Sequence, residues 1–156
     1  GSGGVKNLRL IFPYSAVYKM GKAVFLGDSG WNDSALPFSP GLRGVKKPVF
    51  VDSFFRQSKT PAMQQLLRLH ERILYRHQNY IGPTSYTAYA YDTLMILMQL
   101  LKKESNQSHS ELRNALANMQ IYPGVTGDLS FDEKGEVLRE MQLLTLRRGK
   151  IQLLKH

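Results

Sequence analysis

Four side chains that could bind a ligand lie close together early in the chain: Asp28, Ser29, Trp31 and Asn32. The apolar run from Lys22 to Gly27 just before them predicts a short strand buried on both faces, as in a parallel sheet. Ligands of open α/β sheets bind at the carboxyl ends of such strands. The three polar side chains offer hydrogen bonds, and the indole offers a flat face. The pattern therefore predicts a site for a small polar solute.

Trp31 is the single tryptophan of the chain, and three roles are open to it. Its ring could cover a ligand cleft or anchor a protein contact, because an amphipathic aromatic side chain suits both. It could equally pack within its own loop, against Pro37 or Phe38.

The segment Gly27-Asp28-Ser29 also resembles the nucleophile block of the Gly-Asp-Ser hydrolases, and residues 30–33 mimic their oxyanion block. A serine nucleophile needs a base within hydrogen-bond reach, itself oriented by a third group. Those hydrolases carry the base as Asp-x-x-His, and no histidine here has an aspartate three residues before it. The two blocks also overlap, so they cannot approach a substrate from separate loops. We predict that the protein is not an enzyme and keep a hydrolase as the remote alternative.

His70 and His77 are the one histidine pair that shares a predicted element, a helix from Pro61 to about Gln78. Their separation is about two helical turns, roughly 10 Å along the axis, which is too far for one tetrahedral metal ion. The sequence has no cysteine, so thiolate ligands and disulfides are excluded. We predict no metal site and no cofactor, and expect both histidines to be hydrogen-bonded within a packing face.

The chain is basic, with a net charge of +9, and its first 76 residues hold twelve Lys and Arg side chains against four acidic ones. Such an excess favours anionic partners or surfaces. Arg68, Arg72 and Arg76 either line a solvated helix face or extend a basic stripe with Arg56 and Lys59. Nucleic-acid binding would require exposed aromatic side chains between these charges. The candidate aromatics fit core positions equally well, and we predict no nucleic-acid partner.

The remaining elements follow from apolar periodicity, capping residues and turn signals. We predict a first helix interrupted by Pro13, a second strand at Pro48–Phe55, and helices from Pro61, from Thr84 and from a Ser108–Glu111 capping box. Leu129–Phe131 should be a strand, and two further strands, Val137–Leu146 and Lys150–Leu154, should flank a hairpin turn at residues 147–149. The length fits one modest domain. We interpret residues 1–4 as an expression scar or linker.

In order and spacing, these segments resemble the second half of leucine-binding-type substrate-binding proteins, whose type I periplasmic fold closes two lobes on a ligand. The resemblance covers about Leu8 to Leu154 and is carried by Phe25–Asp33, Val49–Asp52, Ala90–Asp92 and the G-x-x-G-x-L-x-F-D-x-x-G stretch from Gly124. It implies an α/β fold with a parallel sheet, flanking helices and a C-terminal β-hairpin. Residues 5–156 would then be a partial domain that lacks the N-terminal lobe.

The same resemblance implies a non-catalytic solute-binding or sensing domain of the bacterial envelope, with a small polar ligand such as an amino acid held between two lobes. Members that bind amino acids often place an acidic side chain in the loop after Gly27. Ser29 occupies the corresponding position here, with Asp28 beside it. A periplasmic location is also implied, with a lipid anchor on the full-length protein as one option and a membrane permease as a partner.

A second branch shares the pattern Ser29-Gly30-Trp31-Asn32, and it resembles activators of cell-wall-synthesising penicillin-binding proteins. Members of that kind act through protein contacts. This alternative implies a protein-interaction module, with a cell-wall synthase as its partner and no small-molecule ligand.

The helices from Pro61 to Met119 belong, in the resembled fold, to the lobe whose sheet is missing. Their apolar faces, with Leu66, Ile73, Leu94 and Leu97, would then lie open to solvent. We expect them to be covered by the missing lobe, by a second copy that exchanges elements or forms a homo-oligomer, or by a companion chain.

Overall fold

The computed structural model describes residues 3–42, 45, 47–74, 82–103 and 108–154. The chain divides into two compact units. One, here called the terminal unit, combines Gly1–Phe55 with Met141–His156. The other, here called the central unit, is the continuous segment Arg56–Glu140.

The elements alternate between helices and short strands along the chain. In order they are α1 (Gly3–Val17), β1 (Val24–Gly27), β2 (Lys47–Asp52), α2 (Pro61–Leu74), α3 (Ser85–Lys103), α4 (His109–Ala117), β3 (Tyr122–Gly124), β4 (Gly127–Phe131), β5 (Val137–Arg139), β6 (Gln142–Arg147) and β7 (Lys150–Leu153). Two short 3-10 turns, Ser29–Trp31 and Leu36–Phe38, lie between β1 and β2. No helix among the described residues has the length and apolar character that crossing a bilayer requires.

The terminal unit is built on a four-stranded mixed sheet in the order β1-β2-β6-β7. β1 and β2 run parallel, with Leu26 beside Val49. β6 runs antiparallel to β2, and β7 pairs antiparallel with β6 as a hairpin. The parallel pair and the C-terminal hairpin were both expected from the sequence, whereas the antiparallel partner of β2 makes the sheet mixed.

The core of this unit lies between the sheet and α1. Phe12 of α1 is fully buried and makes edge-to-face contacts with Phe25 of β1 and with Trp31, at ring-centroid distances of 6.1 and 5.8 Å. The other buried members are Leu8, Leu36, Val45, Phe50 and Leu144. Pro13 lies inside α1 without ending it.

The opposite face of β1 is open, and the prediction that this strand is buried on both faces is wrong. Exposed and half-buried residues alternate along β1, and the side chains of Val24 and Leu26 are on the exposed face. Leu26 is 76% exposed. The physical reason is that α1, the only α-helix in the described part of this unit, packs on the face that carries Phe25. A short apolar run cannot reveal whether one or both faces of its sheet are covered.

The central unit packs its helices against a three-stranded antiparallel sheet in the order β3-β4-β5. Ile96 and Leu100 of α3 are buried with Leu129 of β4, and Leu112 and Leu116 of α4 pack against them. The predicted capping box begins α4: the Ser108 amide donates to the Glu111 carboxylate at 2.7 Å, and the Glu111 amide donates to Ser108 Oγ at 3.3 Å. The predicted capping box is confirmed. It could be predicted because the two residues are three positions apart in sequence and need no tertiary partner.

The strand predicted from Val137 to Leu146 is two strands in the structure. β5 pairs with β4, placing Arg139 beside Leu129, whereas β6 belongs to the sheet of the terminal unit. No glycine or proline marks the change of sheet, so the sequence carried no signal for it. The predicted hairpin turn is confirmed, with positive φ at Arg148 (51°) and Gly149 (70°) between the paired Arg147 and Lys150.

Candidate functional site

The predicted ligand loop follows β1 directly, at the carboxyl end of the parallel pair β1–β2. Asp28 and Ser29 are exposed there. The Asp28 carboxylate accepts a hydrogen bond from the Gly30 amide at 2.9 Å and so caps the 3-10 turn of residues 29–31. A short acidic side chain is a favoured cap because it satisfies an amide that the turn leaves without a partner. Both side chains therefore face solvent from a defined backbone.

Trp31 points the other way, into the core of the terminal unit, and is 9% exposed. Its ring meets Phe12 edge-on and tilts against Phe50 at a centroid distance of 6.3 Å. Gly27 permits this position, because a Cβ on that residue would lie only 2.1 Å from Cδ2 of the indole. The structure gives Trp31 a packing role, and a ligand contact from its ring stays a prediction.

Asn32 ties the loop to the end of the neighbouring strand. Its amide nitrogen donates to Asp52 Oδ2 at 2.8 Å and to the Phe54 carbonyl at 2.6 Å. Asp52 is fully buried, and its other oxygen accepts from the Phe54 amide at 3.2 Å. The Asn32 side chain thus fixes the loop against β2, and its predicted ligand contact also stays a prediction.

Asp52 is a site residue that sequence reasoning did not assign. The run Val49–Asp52 predicts a strand, and nothing in its sequence pattern alone gives the terminal aspartate a role. A charged side chain that ends an apolar strand and meets a polar loop at the same sheet edge is the signal that could have found it.

The chemistry of this loop is hydrogen bonding and charge. The described part of the terminal unit contains no histidine that could serve Ser29 as a base. Among the residues that the structure describes, no group of three or more acidic or histidine side chains could hold a metal ion.

A second polar cluster, in the central unit, joins two of the segments that carried the sequence resemblance. Asp92 of α3 is 2% exposed, and its carboxylate accepts from the amides of Val125 and Thr126 at 2.7 and 3.0 Å and from the Thr126 hydroxyl at 2.7 Å. Gly124 lets the backbone come this close, since a Cβ there would lie 2.8 Å from the carboxylate. Asp92 therefore anchors the turn between β3 and β4 to α3.

The charge of this carboxylate is felt by the tyrosines around it. Burial raises the pKa of Tyr91, and the nearby Asp92 carboxylate raises it further. The pKa of Tyr122 is raised by the same two causes in the same order, with a smaller contribution from Tyr91. On the other side of the turn, the Arg139 guanidinium stacks over the Tyr89 ring at 4.6 Å and approaches the Thr126 hydroxyl at 3.5 Å. We assign the cluster a structural role.

The basic and histidine residues of α2 are partly described. Arg68 and Arg72 are exposed, and His70 is half-buried. Burial lowers the pKa of His70, and the positive charge of Arg56 lowers it further. Arg76 and His77 lie outside the described residues, so the proposed stripe and the histidine pair stay predictions.

The apolar helix faces of the central unit are open in part. Leu66 is buried and its expected exposure is wrong, because it faces inward with Met63. Ile73 is exposed, Leu97 is half-buried and Leu94 is 59% exposed. Leu94 continues into an outward stripe on α3 with Tyr86, Met98 and Leu101. In the terminal unit α1 presents a similar stripe of Leu10, Tyr14 and Val17, and Tyr18 continues it in the turn after the helix.

No protein-family model matches the sequence, and no curated protein shows significant sequence similarity to it. Solved structures do match the fold. A leucine-binding protein from Thermotoga maritima aligns with a TM-score of 0.74 at 15% identity, over 98% of this chain and 42% of that one. A branched-chain amino acid transporter substrate-binding protein from Streptococcus pneumoniae, in complex with isoleucine, gives 0.70 at 18% identity, over 96% and 41%.

A third match is a solute-binding protein of an ABC transporter from R. palustris, in complex with benzoate, with a TM-score of 0.65 at 15% identity over 84% of this chain and 35% of that one. Identities this low establish the fold and no more. The chain spans about two fifths of the length of these proteins. It therefore has the α/β fold of part of a type I periplasmic substrate-binding protein.

Proposed function

We propose that this chain is part of a non-catalytic, periplasmic solute-binding protein, and that its share of the ligand site is the loop of Asp28 and Ser29. The observation that carries the proposal is the position of these two exposed side chains at the carboxyl end of the parallel strands β1 and β2. That edge is where open α/β sheets bind ligands. Residues outside this sequence would supply the other wall of the cleft, and a membrane permease would receive the solute.

Asp28 favours a ligand that carries an amino group. A carboxylate has about four acceptor positions, so the hydrogen bond from the Gly30 amide leaves capacity for an ammonium group. Such a charge-assisted contact contributes about 1.5–3 kcal/mol. Amino acids fit this requirement, and structures of similar fold hold leucine and isoleucine. In this proposal Trp31 and Asn32 act by holding the loop in place.

The test is calorimetry with a panel of amino acids and of carboxylic acids that lack an amine, on the protein with both walls of the cleft. Asp28→Asn should weaken amine-bearing ligands about tenfold or more and leave amine-free ligands unchanged. Asp33→Asn is the matched control, because Asp33 is an exposed acid of the same loop whose carboxylate caps the Ala35 amide. If no member of the panel binds, the solute-binding proposal fails.

A second candidate is a protein-interaction module that activates a cell-wall-synthesising penicillin-binding protein. The observation that favours it is the outward apolar stripe of α1, in which Leu10 is 70% exposed. This candidate predicts that the chain captures a purified penicillin-binding protein without added solute. Leu10→Glu should abolish the capture, and Lys19→Glu should retain it. Solute binding by the panel together with no capture would reject it.

A further inference from the structure

Charge in the terminal unit is segregated between the two ends of its sheet. Its three acidic residues all lie at or after the carboxyl ends of the parallel strands: Asp52 is the last residue of β2, and Asp28 and Asp33 follow β1. Residues 34–51 and 141–156 contain no acidic residue and seven Lys and Arg. Four of the seven lie within the described residues, and all four are exposed: Lys47, Arg147, Arg148 and Lys150.

These four charges meet at the end of the sheet opposite to the ligand loop. Lys47 opens β2, and Arg147 pairs with Lys150 where β6 turns into β7. The turn holds Arg148 with φ of 51°, so its position is fixed by the hairpin. Since like charges repel, this cluster is stabilised by any anion that binds among them.

An open groove lies in the same place, with a volume of about 520 Å³. Its walls include Pro37, Phe38, Leu42, Val45 and Leu146, with Arg148 at one side. Phe38 is 83% exposed although it is held in a 3-10 turn, with its amide bonded to the Ala35 carbonyl at 3.1 Å. An exposed aromatic ring on an ordered turn is an anchor that loses little freedom on binding.

We propose that this groove binds an acidic peptide segment of a protein partner, which inserts a bulky apolar side chain beside Phe38 and pairs its carboxylates with the surrounding Lys and Arg. The volume lies within the range of ligand-binding clefts. The groove gives an inserted side chain one wall from the Phe38 turn and another from the β6–β7 hairpin. The surface is at the far end of the sheet from Asp28, so the proposal does not depend on solute binding.

The test uses fluorescence anisotropy with three labelled heptapeptides. The first has two glutamates on each side of a central Leu-Phe-Leu. The second replaces this centre with Gly-Gly-Gly, and the third keeps Leu-Phe-Leu but replaces all four glutamates with lysines. We expect the first peptide to bind and the other two to fail. Phe38→Ala and Arg148→Asn should each weaken binding about tenfold. Arg148→Asn removes the charge and keeps the turn, since Asn-Gly is a preferred two-residue hairpin sequence.

Tyr86→Ala and Lys134→Gln are the controls, as an exposed aromatic and an exposed cation of the central unit, and both should bind as the parent does. Equal binding of the Gly-Gly-Gly peptide would overturn the proposal, since charge alone would then suffice. So would the absence of binding at peptide concentrations up to about 1 mM. A third outcome would also overturn the proposal: no peptide binds, but the protein sediments with phosphatidylglycerol vesicles and the same two variants do not. The surface would then be a lipid-binding surface.

Discussion

At the scale of single residues, the candidate loop is defined by what lies beneath it. Asp28 and Ser29 face solvent, whereas Trp31 of the same loop is fixed between Phe12 and Phe50. The lack of a side chain at Gly27 makes room for the indole. The loop therefore depends on one close approach between a glycine and the only tryptophan of the chain.

Gly27→Ala tests this dependence. The new methyl group would overlap the indole ring, so the ring must shift, and we expect a loss of about 1–3 kcal/mol in the free energy of unfolding. Because the chain has a single tryptophan, its fluorescence reports the shift directly, and the emission should move to longer wavelength. Ser29→Ala, in the same loop but exposed, should leave both the emission and the stability unchanged. An unaltered spectrum in Gly27→Ala would contradict the packing described for Trp31.

Asp92 gives a second prediction at this scale. Replacing it with Asn keeps the shape, removes the charge and places an N–H where Thr126 donates, so one or more of three buried hydrogen bonds are lost. We expect Asp92→Asn to lower the free energy of unfolding by about 1.5–3 kcal/mol in urea titrations. Asp128→Asn, an exposed aspartate on β4, is the matched control. Equal midpoints for the two variants would mean that the buried carboxylate is not an anchor.

The sequence predicted where polar side chains would gather, and it could not predict which way each would point. Short polar residues after an apolar run are a local signal for a loop at the end of a strand, and residues 28–32 form such a loop after β1. The inward position of Trp31 depends on Phe12, nineteen residues earlier, and that of Asn32 on Asp52, twenty residues later. Contacts at that separation leave no periodic trace in the sequence.

At the scale of elements, predictions from local sequence patterns were correct, whereas features that depend on tertiary contacts were not predicted. The α4 capping box and the β6–β7 turn were predicted correctly because each is complete within a few residues. The open face of β1 and the division between β5 and β6 depend on which element packs or pairs with which. β3 was not predicted, since Tyr122-Pro123-Gly124 contains two residues that disfavour strands.

Helix α2 supplies a prediction about pH. The pKa of His70 is lowered below 6.5 in the folded protein, first by burial and then by Arg56. The unfolded chain therefore binds the proton more readily, so stability is lost as the pH falls through 6.5 and stops changing below the folded pKa. His70→Gln should flatten this part of the stability profile, measured by thermal melting between pH 7.5 and 5 in steps of about half a unit. His109→Gln, exposed on α4, should keep the parent profile; a parent profile already flat there would contradict the shift.

At the scale of the whole molecule, the fold was predictable from the order of weak motifs, and the ligand was not. Segments such as Ala90–Asp92 and Gly124–Gly135 are individually common, but their order matched a known architecture that the structure confirms. Under the proposed function the ligand would be held between two walls of a cleft, and the loop of Asp28 and Ser29 would supply part of one of them. Composition and spacing in one wall cannot specify the other.

The outward apolar stripes predict association of this chain in isolation. On α3, Tyr86, Leu94, Met98 and Leu101 follow one another down one exposed face, and burying such a patch is favourable. Light scattering should show a mass that rises with concentration, and Leu94→Lys should shift the chain towards the monomer. Gln99→Lys adds the same charge to an exposed polar position of α3 and should not. A compact monomer at all concentrations, with cooperative melting, would contradict the prediction.

The pairing of β2 with β6 has a consequence for how the chain reaches its native state. Asp52 and Gln142, which lie side by side in the sheet, are 90 residues apart in the chain. The central unit is continuous and can form from contacts close in sequence, whereas the terminal unit must wait for its last two strands. Until they are synthesised, β2 presents an unpaired edge next to the bare face of Val24 and Leu26. We therefore expect a newly made chain to be prone to aggregation until residues 142–153 are available to pair with β2.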